Sequence, residues 1–513
     1  MKRQPKLITA VLTMLLSYFP SISHAGTVDD KINKFFQEWI TDPVMRTVFV
    51  SFRYDVGGEE IKLPIVLVWL IAGAIFFTIY FKFINFKAFK LAFNIVRGKY
   101  SDPNDKGEVS HFQALTAALS GTVGLGNIAG VAVAISLGGP GATLWMIVAG
   151  FLGMSSKFVE CTLGVKYRQI NSKGKVYGGP MYYLAEGFSK IKVSIAGQEK
   201  DYSKMGKVLA VIFAIACVGG SFGGGNMFQS NQAFKQFSHL SFVQDTWLYD
   251  NGWCFGLIMA AIVGVVIVGG IKSIAKVTDK IVPFMVGVYL LAALAVIFSN
   301  LSGLPNAFVL IFNGAFSPTA ISGGILGVMI QGFKRSAFSN EAGIGSASIA
   351  HSAVKTNDPA SEGIVALLEP FIDTVIICTI TALVLIITGE YQNTQGISGV
   401  AMTSAAFGSV FSWFPAVLTV AVVLFAFSTM ISWSYYGMQA WSYLFGKSGI
   451  AEAIYKTLFC LFVVLGAASE LGPVIDFSDA MIFLMCFPNI FGMVFLAPVV
   501  KQELANYLKK IKA

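Results

Sequence analysis

The sequence predicts an all-α polytopic membrane protein, and three observations carry that expectation. Hydrophobic residues make up 55% of the chain and charged residues only 13%, against roughly 25% charged in ordinary soluble domains. About eleven stretches hold the roughly 20 mostly apolar residues that a helix needs to cross a bilayer core. Lysine and arginine gather in alternate connections between those stretches, as the positive-inside rule requires. A soluble globule is excluded.

Residues 1–25 open with Lys2, Arg3 and Lys6, run apolar from Leu7 to Phe19 and close at Ser23-His24-Ala25. A charged start, a short apolar run and small residues at the exit form a secretory signal peptide pattern. An uncleaved anchor helix is the alternative, but the run is shorter than a span. Cleavage after Ala25 leaves residues 26–62 as an extracytoplasmic segment with an amphipathic stretch near Ile32 to Ile40. A transmembrane domain is expected over 63–500 and a cytoplasmic tail over 501–513.

From an outside N-terminus the spans fall at about 63–83, 111–137, 141–166, 207–229, 252–269, 278–299, 320–351, 362–388, 411–437, 453–467 and 475–499. An odd number of crossings puts the C-terminus in the cytoplasm of a multi-pass inner (plasma) membrane protein. Basic residues test this order independently. Lys82, Lys87, Lys90, Arg97, Lys99 and Lys106 follow the first span, nine more lie from Lys166 to Lys207, and Lys272, Lys276 and Lys280 follow the fifth. Lys447 and the terminal Lys501, Lys509, Lys510 and Lys512 complete the inner set. In the outer connections Lys235 stands alone between Met227 and Trp253, and none occurs from Asn300 to Pro318 or from Glu390 to Val410. The net charge of +9 is thus partitioned by side, which gives no reason to invoke nucleic acid.

The six cysteines lie in or beside apolar segments without a CxxC pair, and the four histidines, His24, His111, His239 and His351, stand singly. Neither a disulfide framework nor a transition-metal site is expected. No nucleophile, phosphate loop or metal triad accompanies the carboxylates, so enzyme chemistry is not expected either.

Two spans are unlike the rest. The second contains Ser120-Gly121-Thr122-Val123-Gly124-Leu125-Gly126-Asn127-Ile128-Ala129-Gly130, although each glycine costs a helix interior about 1 kcal/mol relative to alanine. Close helix packing explains a lone GxxxG equally well. Five spans later, Gln331 to Ser346 repeats the interruption and carries Lys334, Arg335 and Glu341 in mid-span. A charge at bilayer depth costs about 2.5–3.5 kcal/mol on insertion scales, so such residues face a cavity or a partner. Two interrupted spans at corresponding positions of two halves point to a transporter built on inverted repeats. Half-helix N-termini offer amides to a carboxylate, and freed carbonyls coordinate a cation or an ammonium. That pair suits a zwitterionic amino acid.

Four motifs, Gly121 to Asn127, Gly138-Gly139-Pro140-Gly141-Ala142, Gly178-Gly179-Pro180-Met181-Tyr182-Tyr183 and Phe338 to Gly345, together resemble the alanine or glycine:cation symporter family over roughly 60–500. The resemblance implies the fold of the bacterial leucine transporter: one extra N-terminal helix ahead of a 5+5 inverted-repeat core with two broken helices. It implies import of alanine, glycine or a related small neutral amino acid with sodium by alternating access, without an organic cofactor. The Val123 to Asn127 run also resembles the first core helix of neurotransmitter:sodium symporters. On that likeness Asn127 is a sodium ligand, Thr122 lies near the substrate, Ser339 stands between sodium and substrate, and Phe338 and Ile344 line the side-chain pocket. Gly124, Gly126 and Gly343 would present backbone to the substrate. Ser428 and Thr429, with carbonyls near Ser120 and Val123, would form a second sodium site. Oxygen-only ligands suit a hard cation, and a proton remains the alternative ion. Glutamine or another larger neutral amino acid is the alternative substrate, and a channel the alternative class.

The remaining polar residues have less definite expected roles. Glu160 matches an acidic brace of the broken helices in related symporters, against the alternative of an interfacial charge. Asn340 and Glu341 depart from the wider pattern. Glu369 and Asp373 stand four apart on one helix face, placed either to bind a cation or to pair with Lys334 or Arg335. Asn226 and Gln229, beyond the glycine run of the fourth span, either reach the substrate or merely accompany close packing. The sequence sets no oligomeric state.

Overall fold

The computed structural model describes residues 31, 34–35, 37–56, 59–102, 104–190, 192–195, 198–244, 246–317, 324–393 and 399–512. The expected leader, 1–25, lies outside them. After a π-helical turn at Gln37–Thr41 come α1 (Asp42–Val48) and a hairpin of β1 (Ser51–Val56) and β2 (Glu59–Pro64). The chain is mostly helical, as expected; among the described residues three small antiparallel hairpins add to the helices, the others being β3 (Gln169–Ile170) with β4 (Val176–Tyr177) and β5 (Lys192–Ile195) with β6 (Gln198–Asp201). The first precedes the first long helix and the other two lie in the connections on either side of the helix Pro180–Lys190.

Helices make the body. In chain order they are α2 (Ile65–Tyr80), α3 (Phe89–Val96), α4 (His111–Thr122), α5 (Val131–Gly138), α6 (Ala142–Lys166), α7 (Pro180–Lys190), α8 (Ser203–Phe222) and α9 (Phe228–Ser238). Next come α10 (Gly252–Ile267), α11 (Gly270–Ser299), α12 (Leu304–Phe316), α13 (Gly324–Asn340), α14 (Ala347–His351) and α15 (Pro359–Ala366). The last are α16 (Thr379–Thr388), α17 (Val400–Gly408), α18 (Phe414–Phe445), α19 (Gly449–Ala468) and α20 (Leu471–Lys512). Among the described residues seven helices are long and apolar enough to cross a membrane, or eight if the bent pair α4 and α5 is one span. Large apolar side chains such as Ile79 and Val265 on the shorter apolar helices α2 and α10, and Leu291 and Phe298 on α11, are exposed, a surface suited to lipid.

The connections are more structured than composition shows. The basic-free stretches after Asn300 and after Glu390, read as plain outer loops, contain α12 and α17. Trp145 Nε1 donates to the Ala315 carbonyl at 3.2 Å beside the Gly139-Pro140-Gly141 turn. A Cβ on Gly141 would fall 2.2 Å from the Gly314 carbonyl carbon, so only glycine lets the two backbones meet. The expected tail is no loose end either. α20 runs 42 residues to Lys512, about 63 Å at 1.5 Å per residue, and is tied back by Lys166–Glu503 at 2.6 Å and Lys510–Asp358 at 2.7 Å.

The buried core holds Trp433, Tyr183, Tyr289, Tyr436 and Tyr455, and among these largest fully buried side chains is one lysine, Lys157. A buried ammonium needs a partner. Its partners lie beside the helix breaks.

Candidate functional site

Three helix interruptions meet at the centre. α4 starts on a capping box, in which Ser110 Oγ accepts from the Gln113 amide and Gln113 Oε1 from the Ser110 amide, both at 3.2 Å. It ends at Thr122; the chain bends 51° before α5, with a π-helical turn at Gly126–Gly130 between. The amides freed by the break find side chains: Gly124 N–H donates to Asn127 Oδ1 at 2.9 Å, and Leu125 N–H to Gln229 Oε1 at 3.2 Å. Gln229 Nε2 in turn donates to the Gly224 carbonyl at 2.9 Å, inside the π-helical turn Gly223–Met227 that parts α8 from α9.

The second expected break is also present, between Asn340 and Ala347. Gly343 and Gly345 take φ of 82° and 97°, and Glu341 takes 56°, a region that a residue bearing a Cβ seldom enters. Local bonds hold it there. Asn340 Oδ1 accepts from the Ala342 amide at 3.0 Å, while the Glu341 carboxylate accepts from Trp433 Nε1 at 2.8 Å and from Ser346 Oγ.

Asp373 bridges the two broken spans. Its carboxylate accepts from Asn127 Nδ2 at 2.6 Å, Ser339 Oγ at 2.8 Å and Thr374 Oγ1 at 2.7 Å, and every one of these groups is buried. Thr429 Oγ1 is buried, has no protein partner among the described residues and faces Gly124, where a Cβ would come within 2.3 Å of it. Ser120 Oγ donates to the Ser428 carbonyl at 2.7 Å, whereas Ser428 Oγ donates to Phe425 O at 3.0 Å. Thr122 Oγ1 bonds back along its own helix to Ala118 O at 3.3 Å.

The apolar wall is tight. Phe338 meets Phe228 edge-on at 5.2 Å, and a Cβ on Gly224 would lie 2.5 Å from Ile482 and 3.4 Å from Phe338. Gly126 lies against Ser339 and Phe338. Ile344 is fully buried within the break, and the Gly343 carbonyl is taken by Asn489 Nδ2 at 2.9 Å. Asn226 is the expected site residue the fold turns away: its amide donates to Phe459 O at 2.7 Å, on α19.

The structure corrects the shared-face reading of Glu369 and Asp373. Phe371–Cys378 is a π-helical stretch, and the two carboxylates have separate neighbours. Glu369 takes Lys157 at 3.0 Å and lies 3.4 Å from His351 Nε2. Lys334 and Arg335 instead share Asp479, the lysine at 2.8 Å. Glu160 lies 3.8 Å from Lys157 and accepts from Asn489 Nδ2 at 3.3 Å, so one amide links it to the Gly343 carbonyl of the second break. His111 and His351, read singly, share Glu362. Lys157, Glu362, Trp433, Asp479 and Asn489 had no place in the expected site. For Lys157 the signal was present, a charge three residues before Glu160 inside an apolar span.

A model of the sodium:alanine symporter family matches residues 53–513. The chain is 39% identical over 443 residues to the sodium/alanine symporter AgcS of Methanococcus maripaludis, covering 86% of this chain and 93% of that protein. It is 34% identical over 460 residues to the "Probable sodium/glutamine symporter GlnT" of Bacillus subtilis, covering 89% and 91%. The crystal structure of MhsT in complex with L-phenylalanine aligns with a TM-score of 0.52 at 13% identity, over 78% of this chain and 99% of that one, a likeness of fold alone. With the family model spanning nearly the whole chain and apolar helices around a buried polar centre, this chain belongs to the sodium:alanine symporter family, whose members are multi-pass membrane transporters coupling amino-acid uptake to sodium rather than enzymes.

Proposed function

We propose that this transporter imports a small neutral amino acid, alanine or glycine, with sodium by alternating access around the meeting point of the broken helices. One observation carries the reading: the Asp373 carboxylate joins Asn127 of the first break to Ser339 of the second, making a buried oxygen-rich junction. Such donors suit sodium. Asn127 and Ser339 are the protein ligands of one ion, with Asp373 supplying charge. Thr429, with carbonyls near Ser120 and Val123, serves the second, and Ser428 joins only if its hydroxyl leaves Phe425. The amides around Gly124 and Gly126 receive the substrate carboxylate once Gly124 N–H and Leu125 N–H leave Asn127 Oδ1 and Gln229 Oε1. Phe338, Trp433 and Ile482 crowd the adjoining space, which favours a methyl group or hydrogen over a glutamine side chain.

The same reading takes eleven spans, with α2 ahead of two inverted five-span units, each opening on a broken helix. Its support is the clustering of the inner connections at one end of the molecule. Arg168 donates to the carbonyls of Lys106 and Thr356, both at 2.7 Å, Lys510 reaches Asp358, and Lys175 reaches Glu452 at 3.1 Å. That end is cytoplasmic under the positive-inside rule.

Uptake of labelled L-alanine into proteoliposomes under an inward sodium gradient tests the function, with potassium replacement as control and glycine, D-alanine and glutamine as competitors. Saturable sodium-dependent accumulation inhibited by glycine is the expected result; glutamine as the strongest competitor, or a proton gradient sufficing without sodium, overturns it. Asn127→Ala and Thr429→Ala are each expected to raise the sodium concentration for half-maximal uptake about tenfold, the equivalent of about 1.4 kcal/mol. Unchanged sodium dependence in both removes the ligand assignment.

A further inference from the structure

Glu362 ties the inner ends of both broken spans together through two imidazoles. His111, in the first turn of α4, and His351, the last residue of α14, each point Nδ1 at a different oxygen of its carboxylate, His351 at 2.6 Å. His351 also brings Nε2 to 3.4 Å from Glu369 Oε2, and Glu369 Oε1 takes Lys157 Nζ at 3.0 Å. An ionised carboxylate only accepts, so a ring nitrogen bonded to one carries hydrogen. Nδ1 therefore carries hydrogen, and a second proton on Nε2, 3.4 Å from Glu369 Oε2, would make His351 an imidazolium between two carboxylates. The row Glu362, His351, Glu369, Lys157 then alternates in sign and closes neutral, and all four side chains are fully buried.

Other charged and titratable groups surround this row. Glu160 and Cys161 face it from α6, Tyr436 from α18, and Glu341 and Asp373 from the break and the π-helical stretch, with Tyr183 of α7 behind Glu160 and Cys161. Arg168 approaches Glu362 from beyond the end of α6, but its guanidinium is spent on the carbonyls of Lys106, Ser352, Val354 and Thr356. Among the described residues the two imidazoles are the side chains that join the α4 and α14 ends to Glu362, and imidazole is the side chain that ordinarily exchanges a proton near neutral pH.

We propose that this row is a proton-binding site, in which one proton on His351, held between Glu362 and Glu369, docks α14 against α15 and α6 and is given up when α14 swings away. The proposal rests on the alternating-access reading and adds a ligand to it: a proton exchanged at the inner face, not carried across. Undocking takes both carboxylates away from His351. The docked arrangement binds the extra proton, so linkage favours it as pH falls and weakens it as pH rises. The inner half of the second broken span therefore opens more readily from an alkaline cytoplasm.

Hydrogen–deuterium exchange of the whole purified protein tests this without any transport, so its outcome is separate from that of the uptake assay. Corrected for intrinsic chemistry, protection of residues 347–354 is expected to fall through one step between about pH 6 and about pH 9, by at most tenfold per pH unit for one proton, while α10 stays unchanged. His351→Gln is expected to show low protection at every pH and no step; a purely structural histidine would lower protection in the variant but give the native protein no step. If His351→Gln does not fold, Glu369→Gln, which leaves His351 one carboxylate, is expected to move the step to lower pH. Flat protection in the native protein, a full step in His351→Gln, or an unmoved step in Glu369→Gln overturns the proposal.

Discussion

Replacing Lys157 by methionine is expected to cost about 3–5 kcal/mol, because it strips the buried Glu369 of its ammonium partner. Lys157 and Glu369 are both fully buried at 3.0 Å, so neither charge has solvent to fall back on. The double variant Lys157→Met/Glu369→Gln is expected to regain most of the loss, since replacing a buried pair by neutral groups of similar size is often close to neutral in stability. Lys334→Met is the contrast. Its side chain is 23% exposed and Arg335 remains on the same Asp479, so the expected loss is under about 1 kcal/mol. Thermal unfolding of the four proteins in one detergent checks the order. A double variant no more stable than Lys157→Met would show that the ammonium stabilises by packing its stem and not by pairing.

That contrast also marks how far the sequence could be read. Glycine runs and mid-span charges revealed both breaks, because backbone that leaves a helix at membrane depth must draw on small residues and polar partners nearby in the chain. Residues 120–130 and 331–346 carry those signals locally. The partners do not lie nearby: Glu369 is 212 residues from Lys157, Asp479 is 144 from Arg335 and Glu362 is 251 from His111. Two histidines on one carboxylate are invisible until helices pack. Helical spacing set Glu369 and Asp373 on one face, but the π-helical stretch from Phe371 changes the register and sends them to different neighbours. Asn226, left open between the substrate and close packing, lies inside the π-helical turn Gly223–Met227 and gives its amide N–H to α19. α12 and α17 stayed hidden because short helices in connections need neither long apolar runs nor basic flanks.

Asp373→Asn is expected to abolish sodium-driven uptake while leaving the protein folded. Asn127 Nδ2, Ser339 Oγ and Thr374 Oγ1 all donate to this carboxylate. An amide of the same shape must turn its NH2 toward at least one of those donors, and each buried polar group left without an acceptor costs about 1–3 kcal/mol. The substitution also removes the negative charge that would offset a bound cation in a low-dielectric site. Stability and transport therefore separate: the hydroxyls of Ser339 and Thr374 can rotate to other acceptors, but no rearrangement restores the charge. Half-saturating sodium is expected to rise by about 100-fold or more, the equivalent of about 2.8 kcal/mol, with a melting temperature within a few degrees of the native protein. Loss of folding alongside transport would make Asp373 a structural tie between Asn127 and Ser339. Normal sodium dependence in a folded Asp373→Asn protein would move the ion away from this junction and leave Thr429, Ser120 and Val123 as its only site.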